Sequence, residues 1–253
     1  MDFKDKVVLI TGASSGIGAA IAIYMSNLSA KLVLIGRNEK NLKAVAQQCE
    51  KSKGIKALPV IADVSKEADV ERIVKETINH FGQLDVLVNN AGATDNGGIR
   101  ETSLEKYDRI MSINVRGVLH LTMLAVPHLI KTKGNVVNIS SVVSTKPYPS
   151  GLPYCMSKAA LDHFTKCVAI DLAADGIRVN SVNPGLVKTN IFTTIGMSDS
   201  DFDAFAKEKM ETTPLKKLVD AEDIAAMVAF LASDCAKSIT GSIHFVDAGA
   251  VLV

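Results

Sequence analysis

The sequence lacks tryptophan altogether, and aromatic residues make up only 5% of its 253 residues. It also lacks a dominant charge, because 28 basic and 27 acidic side chains leave a formal net charge of +1. A nearly neutral chain without a long basic run gives no electrostatic basis for binding nucleic acid. No apolar stretch approaches the roughly 20 residues needed to cross a bilayer. The charged start MDFKDK has no apolar signal core. We therefore expect neither a nucleic-acid partner nor a membrane partner.

Cysteine and histidine are few and scattered. The four cysteines form no CxxC pair and are Cys49, Cys155, Cys167 and Cys235. This pattern indicates reduced thiols in a cytoplasmic protein. The five histidines do not cluster at metal-ligand spacing, so we predict no metal site. A G-x-S-x-G elbow is also absent, which argues against a Ser-His-Asp hydrolase.

Short β-branched runs alternate with longer helical patterns along the chain. Strands are predicted at 7–10, 31–35, 57–61, 85–89, 134–139, 178–182 and 243–247. Helices are predicted at 17–28, 39–52, 67–81, 104–131, 152–174 and 220–232. This alternation predicts an α/β fold, a Rossmann-type doubly wound seven-stranded parallel sheet flanked by helices, in a single domain over 1–253. The irregular segment 186–214 follows the sixth strand, where ligands bind in such sheets, and is interpreted as a mobile substrate lid.

A glycine-rich turn follows the first predicted strand. Residues 11–18 read TGASSGIG, and a helical pattern begins at once. Gly12 permits a tight turn, Gly16 lets the backbone approach a pyrophosphate, and Gly18 lets the helix pack closely on the strand. The helix N-terminus offers free N–H groups to phosphates. The turn therefore predicts a dinucleotide site, and its other members are Ser14, Ser15 and Ile17.

Tyr154 and Lys158 stand four residues apart in PYCMSKAALDHF, a stretch with a helical pattern. At this spacing their side chains share one helix face. Ser141 lies thirteen residues before Tyr154, at the end of the apolar run 136–139. A free phenol has a pKa of about 10, and a neighbouring lysine cation lowers it. The three residues predict an acid/base device for a carbonyl or an alcohol.

Together these motifs resemble the short-chain dehydrogenase/reductase family. The resemblance covers nearly the whole chain and rests on TGxxxGxG, Asn89-Asn90-Ala91-Gly92, Asn114, Ser141, Tyr154-x-x-x-Lys158, Asn183-Pro184-Gly185 with Thr189, and the ending Thr240-Gly241 through Val246-Asp247. One departure is Ala248-Gly249, where the family often has two glycines.

The resemblance implies direct hydride transfer between a nicotinamide and a carbonyl carbon. Tyr154 would exchange a proton with the carbonyl oxygen, and Ser141 would hold that oxygen in place. The interval to Tyr154 favours Ser141 over the adjacent Ser140. Lys158 would lower the Tyr154 pKa and bind the nicotinamide ribose, and Asn114 would hold a water that links Lys158 to solvent.

The resemblance also implies further cofactor contacts. Asp63 would accept a hydrogen bond from the adenine amino group, with Val64 beside it, and Thr189 would hold the nicotinamide carboxamide. The remaining implied contacts are Asn90, Ala91, Gly92, Pro184, Gly185 and Val187.

The cofactor type depends on the residues after the second strand. NAD enzymes usually carry an acidic residue there, whereas this chain has Gly36 followed by Arg37. A guanidinium suits a 2′-phosphate, and Ser14 could add a hydroxyl contact. The sequence thus predicts NADP(H), with NAD(H) less favoured. The alternative is that Arg37 is a solvated turn residue. Glu39 is an acidic residue nearby, but it opens a helix and is interpreted as serving the helix dipole.

The substrate is less defined. Positions that could flank the carbonyl are mostly apolar and are Thr94, Val142, Val143, Tyr148, Pro149, Leu152 and the lid. They favour a lipophilic carbonyl such as a steroid, retinoid, isoprenoid or xenobiotic. Two alternatives stay open: a 3-oxoacyl-[acyl-carrier-protein] reductase, with Arg100, Arg109 or Arg116 facing the acidic carrier, and a catalytically idle nucleotide-binding protein.

The resemblance further implies a homotetramer or homodimer built on the two long helices and the last strand. Met111, Val115, Val118 and Met123 are candidate interface residues.

Overall fold

Seven strands form one parallel sheet at the centre of the molecule. The computed structural model describes residues 1–253. The strands are β1 Val7–Thr11, β2 Lys31–Gly36, β3 Leu58–Ile61, β4 Val86–Asn89, β5 Asn135–Ile139, β6 Arg178–Pro184 and β7 Ile243–Val246. Their order in the sheet is β3-β2-β1-β4-β5-β6-β7, and every neighbouring pair is parallel. The predicted doubly wound Rossmann-type fold is confirmed.

Eight α-helices connect or follow these strands. They are α1 Gly16–Asn27, α2 Glu39–Lys53, α3 Glu67–Phe81, α4 Leu104–Met111, α5 Gly117–Thr132, α6 Leu152–Asp171, α7 Asp199–Thr212 and α8 Ala221–Ala232. The helices cover both faces of the sheet. One core cluster joins the sheet to α1, α2 and α8, and the other joins it to α3, α5 and α6.

The sheet is buried on both faces because its strands are apolar throughout. All five residues of β1 are buried. Val8 and Ile10 belong to one core cluster, and Val7 and Leu9 belong to the other. Alternate side chains of a strand point to opposite faces, so an uninterrupted apolar run is what a doubly covered sheet requires.

The strand order reverses at β1. The chain adds β2 and β3 on one side of β1, then crosses over to place β4 on the other side. Ligands of open parallel sheets bind at such a reversal, beyond the carboxyl ends of the strands. The glycine loop after β1 and the NNAG motif at the end of β4 meet there.

One helical run is long and apolar enough, by length and composition, to cross a membrane. It is the continuous segment Leu104–Thr132, whose most apolar window has a mean hydropathy of 1.3 and is 39% buried. Its Leu121, Ala125 and Leu129 pack into the core against the sheet. The core helices of soluble proteins can have the same length and composition, so these two properties are weak evidence that the segment spans a membrane.

The segment 186–214 differs from its predicted irregular structure. It contains α7, which begins at a capping box: Ser198 Oγ accepts from the Asp201 N–H, and the Asp201 carboxylate accepts from the Ser198 N–H. This box satisfies N–H groups that the first turn would otherwise leave unpaired. The Ser-x-x-Asp signal was present in the sequence, but the surrounding mixture of polar and apolar residues concealed it.

Candidate active site

The glycine loop between β1 and α1 has almost no room for side chains. A Cβ atom at Gly18 would lie 2.3 Å from the Gly12 carbonyl oxygen, and one at Gly12 would lie 2.9 Å from Ala91 Cα. Gly12 and Gly16 have φ angles of +66° and +55°. Ser15 precedes α1 and makes no side-chain cap, so first-turn N–H groups remain available to an anion. The loop fits a dinucleotide pyrophosphate.

Asn90 fastens the end of β4 to this loop. Its Nδ2 donates to the Thr11 carbonyl at 2.8 Å and to the Gly12 carbonyl at 3.2 Å. The backbone N–H groups of Asn90 and Ala91 both donate to Thr11 Oγ1 at 2.9 Å. The Asn90 side chain therefore has a structural task, and Asn90, Ala91 and Gly92 line the cavity along this edge of the sheet.

Asn89, one residue earlier, braces the centre of the sheet. Its Nδ2 donates to Asn138 Oδ1 at 2.9 Å, and Asn138 in turn donates to Thr165 Oγ1 at 2.9 Å. All three side chains are buried. The network joins β4, β5 and α6 and holds the carboxyl ends of these strands together.

Arg37 extends from the end of β2 with 71% of its side chain exposed. A Cβ atom at Gly36 would lie 3.2 Å from Ser14 Oγ, so an acidic side chain there would require Ser14 to shift. Arg37 Nη1 lies 3.7 Å from Asp63 Oδ2. Burial acts to raise the pKa of Asp63, but hydrogen bonds from Ser65 and the Arg37 charge outweigh it and hold that pKa below its usual value. The end of β2 thus carries a cation and no carboxylate.

Two serines follow β5, and their hydroxyls have different surroundings. Ser140 Oγ donates to the Lys158 carbonyl oxygen at 3.2 Å, which engages it with α6. Ser141 Oγ accepts from the Val143 N–H at 3.3 Å and lies at the cavity. Ser141, and not Ser140, therefore presents its hydroxyl to the cavity, within reach of Tyr154.

Helix α6 places Tyr154 and Lys158 on the same face, as their spacing predicts. Lys158 is only 4% exposed. Its Nζ donates to the Ile139 carbonyl oxygen at 2.7 Å and lies 5.6 Å from the centre of the Tyr154 ring. The ammonium is thus held beside the phenol by the end of β5.

Burial governs the ionisation of both groups. It raises the pKa of Tyr154 to about 12, against the lowering effect of a hydrogen bond from Ser141, although the tyrosine side chain as a whole is only half-buried. It lowers the pKa of Lys158 to about 8, opposed by the negative charge of Asp162. The net pKa of Tyr154 thus lies above its ordinary value, because desolvation outweighs the hydrogen bond from Ser141. The effect of Lys158 on this pKa stays a prediction.

Asn114 lies in a π-helical turn, Ser112–Arg116, between α4 and α5. Its Oδ1 accepts from the Ala93 N–H at 2.8 Å, and its Nδ2 donates to the Ala93 carbonyl and to Ser157 Oγ, both at 2.9 Å. Single π-helical turns often occur at functional sites. The turn brings the asparagine to the loop after β4 and to α6, so that a Cβ atom on Gly92 would lie 3.5 Å from Asn114 Oδ1 and 3.7 Å from Lys158 Nζ.

The loop after β6 closes over the glycine loop. A Cβ atom at Gly16 would lie 3.1 Å from Thr189 Cγ2, and one at Gly185 would lie 2.8 Å from Asp247 Cα. Val187 is buried. Pro184 and these neighbours therefore line the cavity beside the start of α1.

One cavity of about 790 Å³ joins these groups. Almost all the sequence-predicted site residues line it: Gly12, Ser14, Ser15, Gly16, Ile17, Arg37, Asp63, Val64, Asn90, Ala91, Gly92, Ser141, Tyr154, Lys158, Pro184, Gly185, Val187 and Thr189. Gly18 and Asn114 lie behind it, Gly18 within the loop and Asn114 between Ala93 and Ser157.

A cluster of polar side chains at the substrate end of the cavity was not predicted from the sequence. Arg109 Nη2 donates to Asp95 Oδ2 at 2.8 Å and to the Thr94 carbonyl at 3.0 Å, and Lys106 Nζ lies 3.3 Å from Asp95 Oδ1. Asn96 also lines the cavity. Their position directly after the NNAG motif was the available signal, since loops after strands carry binding residues in this kind of sheet.

The structure brings no three His, Cys, Asp or Glu side chains together in a group that could hold a metal ion. The prediction of a metal-free site stays a prediction.

Comparison with known proteins places the chain in a family. A family model described as enoyl-(acyl carrier protein) reductase matches residues 12–251. The chain is 39% identical to meso-2,3-butanediol dehydrogenase of Serratia marcescens, over 99% of this chain and 96% of that protein. It is 37% identical to L-xylulose reductase of Caenorhabditis elegans, over 98% and 96% respectively.

Solved structures agree. A short-chain dehydrogenase/reductase of unknown function from Caenorhabditis elegans, crystallised with cofactor, superposes with a TM-score of 0.94 at 36% identity, covering 99% of this chain and 97% of that one. Other similar structures contain NADPH in one case and NAD+ in another. With its parallel sheet, glycine loop and Tyr154–Lys158 pair, the chain belongs to the short-chain dehydrogenase/reductase family.

Proposed function

We propose that this protein is an NADP(H)-dependent oxidoreductase that interconverts a carbonyl and an alcohol. The observation that carries the proposal is the joining of two sites in one cavity. The glycine loop opens at one end, and Ser141, Tyr154 and Lys158 meet at the other. Its relatives are dehydrogenases and reductases of alcohols and carbonyls.

The chain's own residues would bind and orient the reactants. Ser14 to Gly18 and the first turn of α1 would hold the pyrophosphate. When bound, the nicotinamide supplies or accepts the hydride at the carbonyl carbon. Ser141 would donate to the carbonyl oxygen and fix its position beside the Tyr154 hydroxyl. Tyr154, protonated at neutral pH with a pKa of about 12, would give its proton to that oxygen during reduction.

Lys158 would assist that proton transfer. Its ammonium hydrogen-bonds the end of β5 and lies beside the Tyr154 ring. An ammonium favours phenolate over phenol, so it would stabilise the charge that Tyr154 develops once its proton leaves. Asn114 would connect this lysine to solvent through a water held near the π-helical turn.

The NADP(H) preference rests on the exposed Arg37 guanidinium and on Gly36, where a carboxylate side chain would press against Ser14. Arg37 Nη1 lies 3.7 Å from Asp63, which is a long ion-pair distance. Arg37 would bind a 2′-phosphate in preference to Asp63, because a bidentate guanidinium–phosphate pair is the stronger interaction. Asp63 would then face the adenine.

A lipophilic substrate is favoured by the lid, 186–214. Its apolar side chains line the cavity and include Leu186, Ile191, Phe192, Ile195, Met197, Phe205 and Met210. α7 is held to the loop before it by the Lys188–Asp203 ion pair at 2.7 Å and by the Phe192–Phe202 ring contact. An apolar cover of this kind excludes water from the carbonyl.

A second candidate is a small hydroxylated ketone or polyol. Asp95 and Asn96 line the cavity and offer hydrogen-bond partners to hydroxyl groups. The carboxylate of Asp95 is already bonded to Arg109 and Lys106, which leaves it less capacity for a substrate.

An acyl-carrier thioester is a weaker candidate. It would need free cations around the cleft for an acidic carrier, but Arg109 is paired with Asp95 and Arg116 with Glu67. Of the three predicted arginines only Arg100 is exposed without an ion pair, and it does not line the cavity. The set of predicted catalytic residues, Ser141, Tyr154, Lys158 and Asn114, is complete. This favours an enzyme over a catalytically idle protein.

The proposal is tested by following nicotinamide absorbance with NADPH and a panel of carbonyls. The panel contains steroid ketones, small hydroxyketones and acetoacetyl thioesters. Turnover confined to the first group supports the lipophilic substrate. Turnover only of small hydroxyketones would support the second candidate. Tight cofactor binding without any turnover would favour the idle protein.

We further propose a homotetramer or homodimer in the reducing cytoplasm. Exposed apolar side chains on α5 and α6 include Met123, Ile130, Met156 and Ile170, whereas Val118 is buried within the protein and is not a candidate contact. All four cysteines are free thiols. Light scattering tests the assembly, since a mass near 26.9 kDa would contradict it.

A further inference from the structure

Helix α6 carries a buried acid one turn after Lys158. Asp162 is 7% exposed, yet no lysine or arginine forms an ion pair with it. Its carboxylate accepts from a neutral donor, Asn183 Nδ2, at 2.8 Å, and its other oxygen lies 3.4 Å from Ser181 Oγ. Burying a carboxylate without a bonded cation is unfavourable. Its position therefore calls for a reason beyond packing.

The contacts of Asp162 lead to Ser141 through Asn183. Asn183 Nδ2 also lies 3.1 Å from the Ser141 carbonyl oxygen and 2.9 Å from Ser144 Oγ, so its two N–H groups are shared among three acceptors. Its Oδ1 accepts from Ser181 Oγ at 2.6 Å. The amide group of Asn183 thus lies at the centre of a cluster that connects α6 and β6 to the loop that follows β5.

The carboxylate sets the orientation of this amide. Carboxylate and backbone carbonyl oxygens only accept hydrogen bonds, so the nitrogen end of Asn183 must face both Asp162 and Ser141. Rotation of the amide by half a turn would place Oδ1 against two acceptors. Asp162 therefore stabilises the one orientation in which Asn183 holds the Ser141 backbone.

The geometry points to Asp162 as a positioning residue for Ser141. It orients Asn183, which holds the Ser141 carbonyl and the Ser144 hydroxyl and so fixes the direction in which the Ser141 hydroxyl enters the cavity. Asp162 does not line the cavity. This inference rests on the proposed function, in which Ser141 binds the reacting oxygen.

A double-mutant cycle tests the inference. Asp162→Asn keeps the side-chain shape but removes the strong acceptor. The expected result is a loss in kcat of roughly tenfold to a hundredfold, with the Kd for NADPH unchanged. In a Ser141→Ala background the same change is expected to lower kcat by less than about twofold, since residues that act through one another are not additive. Equal losses in both backgrounds would overturn the inference.

Thr165→Val is the matched control. Thr165 is fully buried on the same helix and holds Asn138 rather than Asn183. Its loss is expected to lower Tm while leaving kcat near the wild-type value. A loss in kcat as large as that of Asp162→Asn would show that any buried defect in α6 has the same effect, and would contradict a positioning role.

An exchange variant separates stability from positioning. Asp162→Asn with Asn183→Asp restores an amide–carboxylate bond between α6 and β6, but it turns a carboxylate toward the Ser141 carbonyl. Compared with Asp162→Asn, we expect Tm to recover in part, because one bond between α6 and β6 returns while the new carboxylate repels the Ser141 carbonyl, and we expect kcat to stay low. Recovery of both would mean that the bond only braces the fold.

If the wild type turns over none of the carbonyls, the proposed function is rejected but the inference about Asp162 is not. A crystal structure of Asp162→Asn then decides the inference. The Ser141 hydroxyl is expected to be displaced or to occupy two positions. An unchanged Ser141 would overturn the inference.

Discussion

The ammonium of Lys158 lies 5.6 Å from the centre of the Tyr154 ring, and its hydrogen bond goes to the Ile139 carbonyl. The lysine is therefore fixed by the sheet and not by the tyrosine. A cation held in this way can act on the phenol without depending on the phenol's own ionisation. This arrangement separates the roles of the two residues and makes them testable one at a time.

Tyr154→Phe removes the proton donor and little else. Because general acid catalysis contributes about a hundredfold to ten-thousandfold, we expect kcat to fall within that range. NADPH binding, followed by fluorescence, is expected to stay close to the wild-type value. Tyr24→Phe is the control, because it removes a phenol hydroxyl from a residue of α1 that does not line the cavity. A kcat within about tenfold of the wild-type value in Tyr154→Phe would reject this mechanism.

Lys158→Met is expected to stabilise the protein at neutral pH. Burial lowers the pKa of Lys158 to about 8, below its unfolded value, so the charged form opposes folding. This cost is complete below pH 8 and disappears as the pH rises toward the unfolded pKa of about 10.4. Methionine also forfeits the bond to Ile139, so the net gain at pH 7 is on the order of 1–2 kcal/mol.

The measurement for Lys158→Met is Tm at pH 7 and at pH 10. The difference from the wild type is expected to shrink or change sign at the higher pH. Lys166→Met, an exposed position on the same helix, should show no such trend. A difference that does not vary with pH would mean that the lysine is already neutral or well solvated in the fold.

Arg37→Asp tests the cofactor preference. Loss of a charged contact to the 2′-phosphate, together with a carboxylate in its place, is expected to weaken NADPH binding by about tenfold to a hundredfold. NADH binding is expected to hold or improve. Arg116→Asp alters an exposed arginine outside the cavity and serves as the control. An unchanged NADPH-to-NADH ratio would show that Arg37 is only a turn residue.

Gly18→Ala tests the fit of the dinucleotide loop. The new methyl would lie 2.3 Å from the Gly12 carbonyl oxygen and 2.5 Å from Asn90 Nδ2. Overpacking of this kind costs about 1–3 kcal/mol, and the displaced loop is expected to lose cofactor affinity. Gly54→Ala meets no atom within 4 Å and is the control for a glycine lost far from the cavity, although it adds a left-handed backbone strain (φ +70°) that Gly18 does not have. Cofactor affinity lowered equally by both would contradict the fit.

Much of the fold could be predicted from the sequence because the strands are buried on both faces. Their apolar runs, such as Val7 to Ile10, stand out against the polar turns, and the predicted strand ends differ from the observed ones by no more than two residues. α7 was missed because Phe202 and Phe205 stand in a mixed polar segment with no strong periodicity. Its capping box, Ser198 with Asp201, is a short-range signal. Such a pair indicates a helix start only where a helix is already expected to follow.

The site was predictable where a motif carries it and not where tertiary contacts create it. Gly12, Tyr154 and Lys158 could be placed because local spacing determines their geometry. The role of Asp162 depends on Asn183, which is twenty-one residues away in sequence and one hydrogen bond away in the fold. The raised pKa of Tyr154 was equally out of reach, since burial is a property of the folded cavity.

The most direct test of the account is a titration of the wild-type protein with NADPH and NADH side by side, followed by fluorescence. The account predicts binding of both, with NADPH at least about tenfold tighter because of the Arg37 contact. Tighter binding of NADH would contradict the proposed NADP(H) preference but not the proposed role of Tyr154 as the proton donor. Binding of neither would contradict the central claim that this cavity is the active site of a nicotinamide-dependent enzyme.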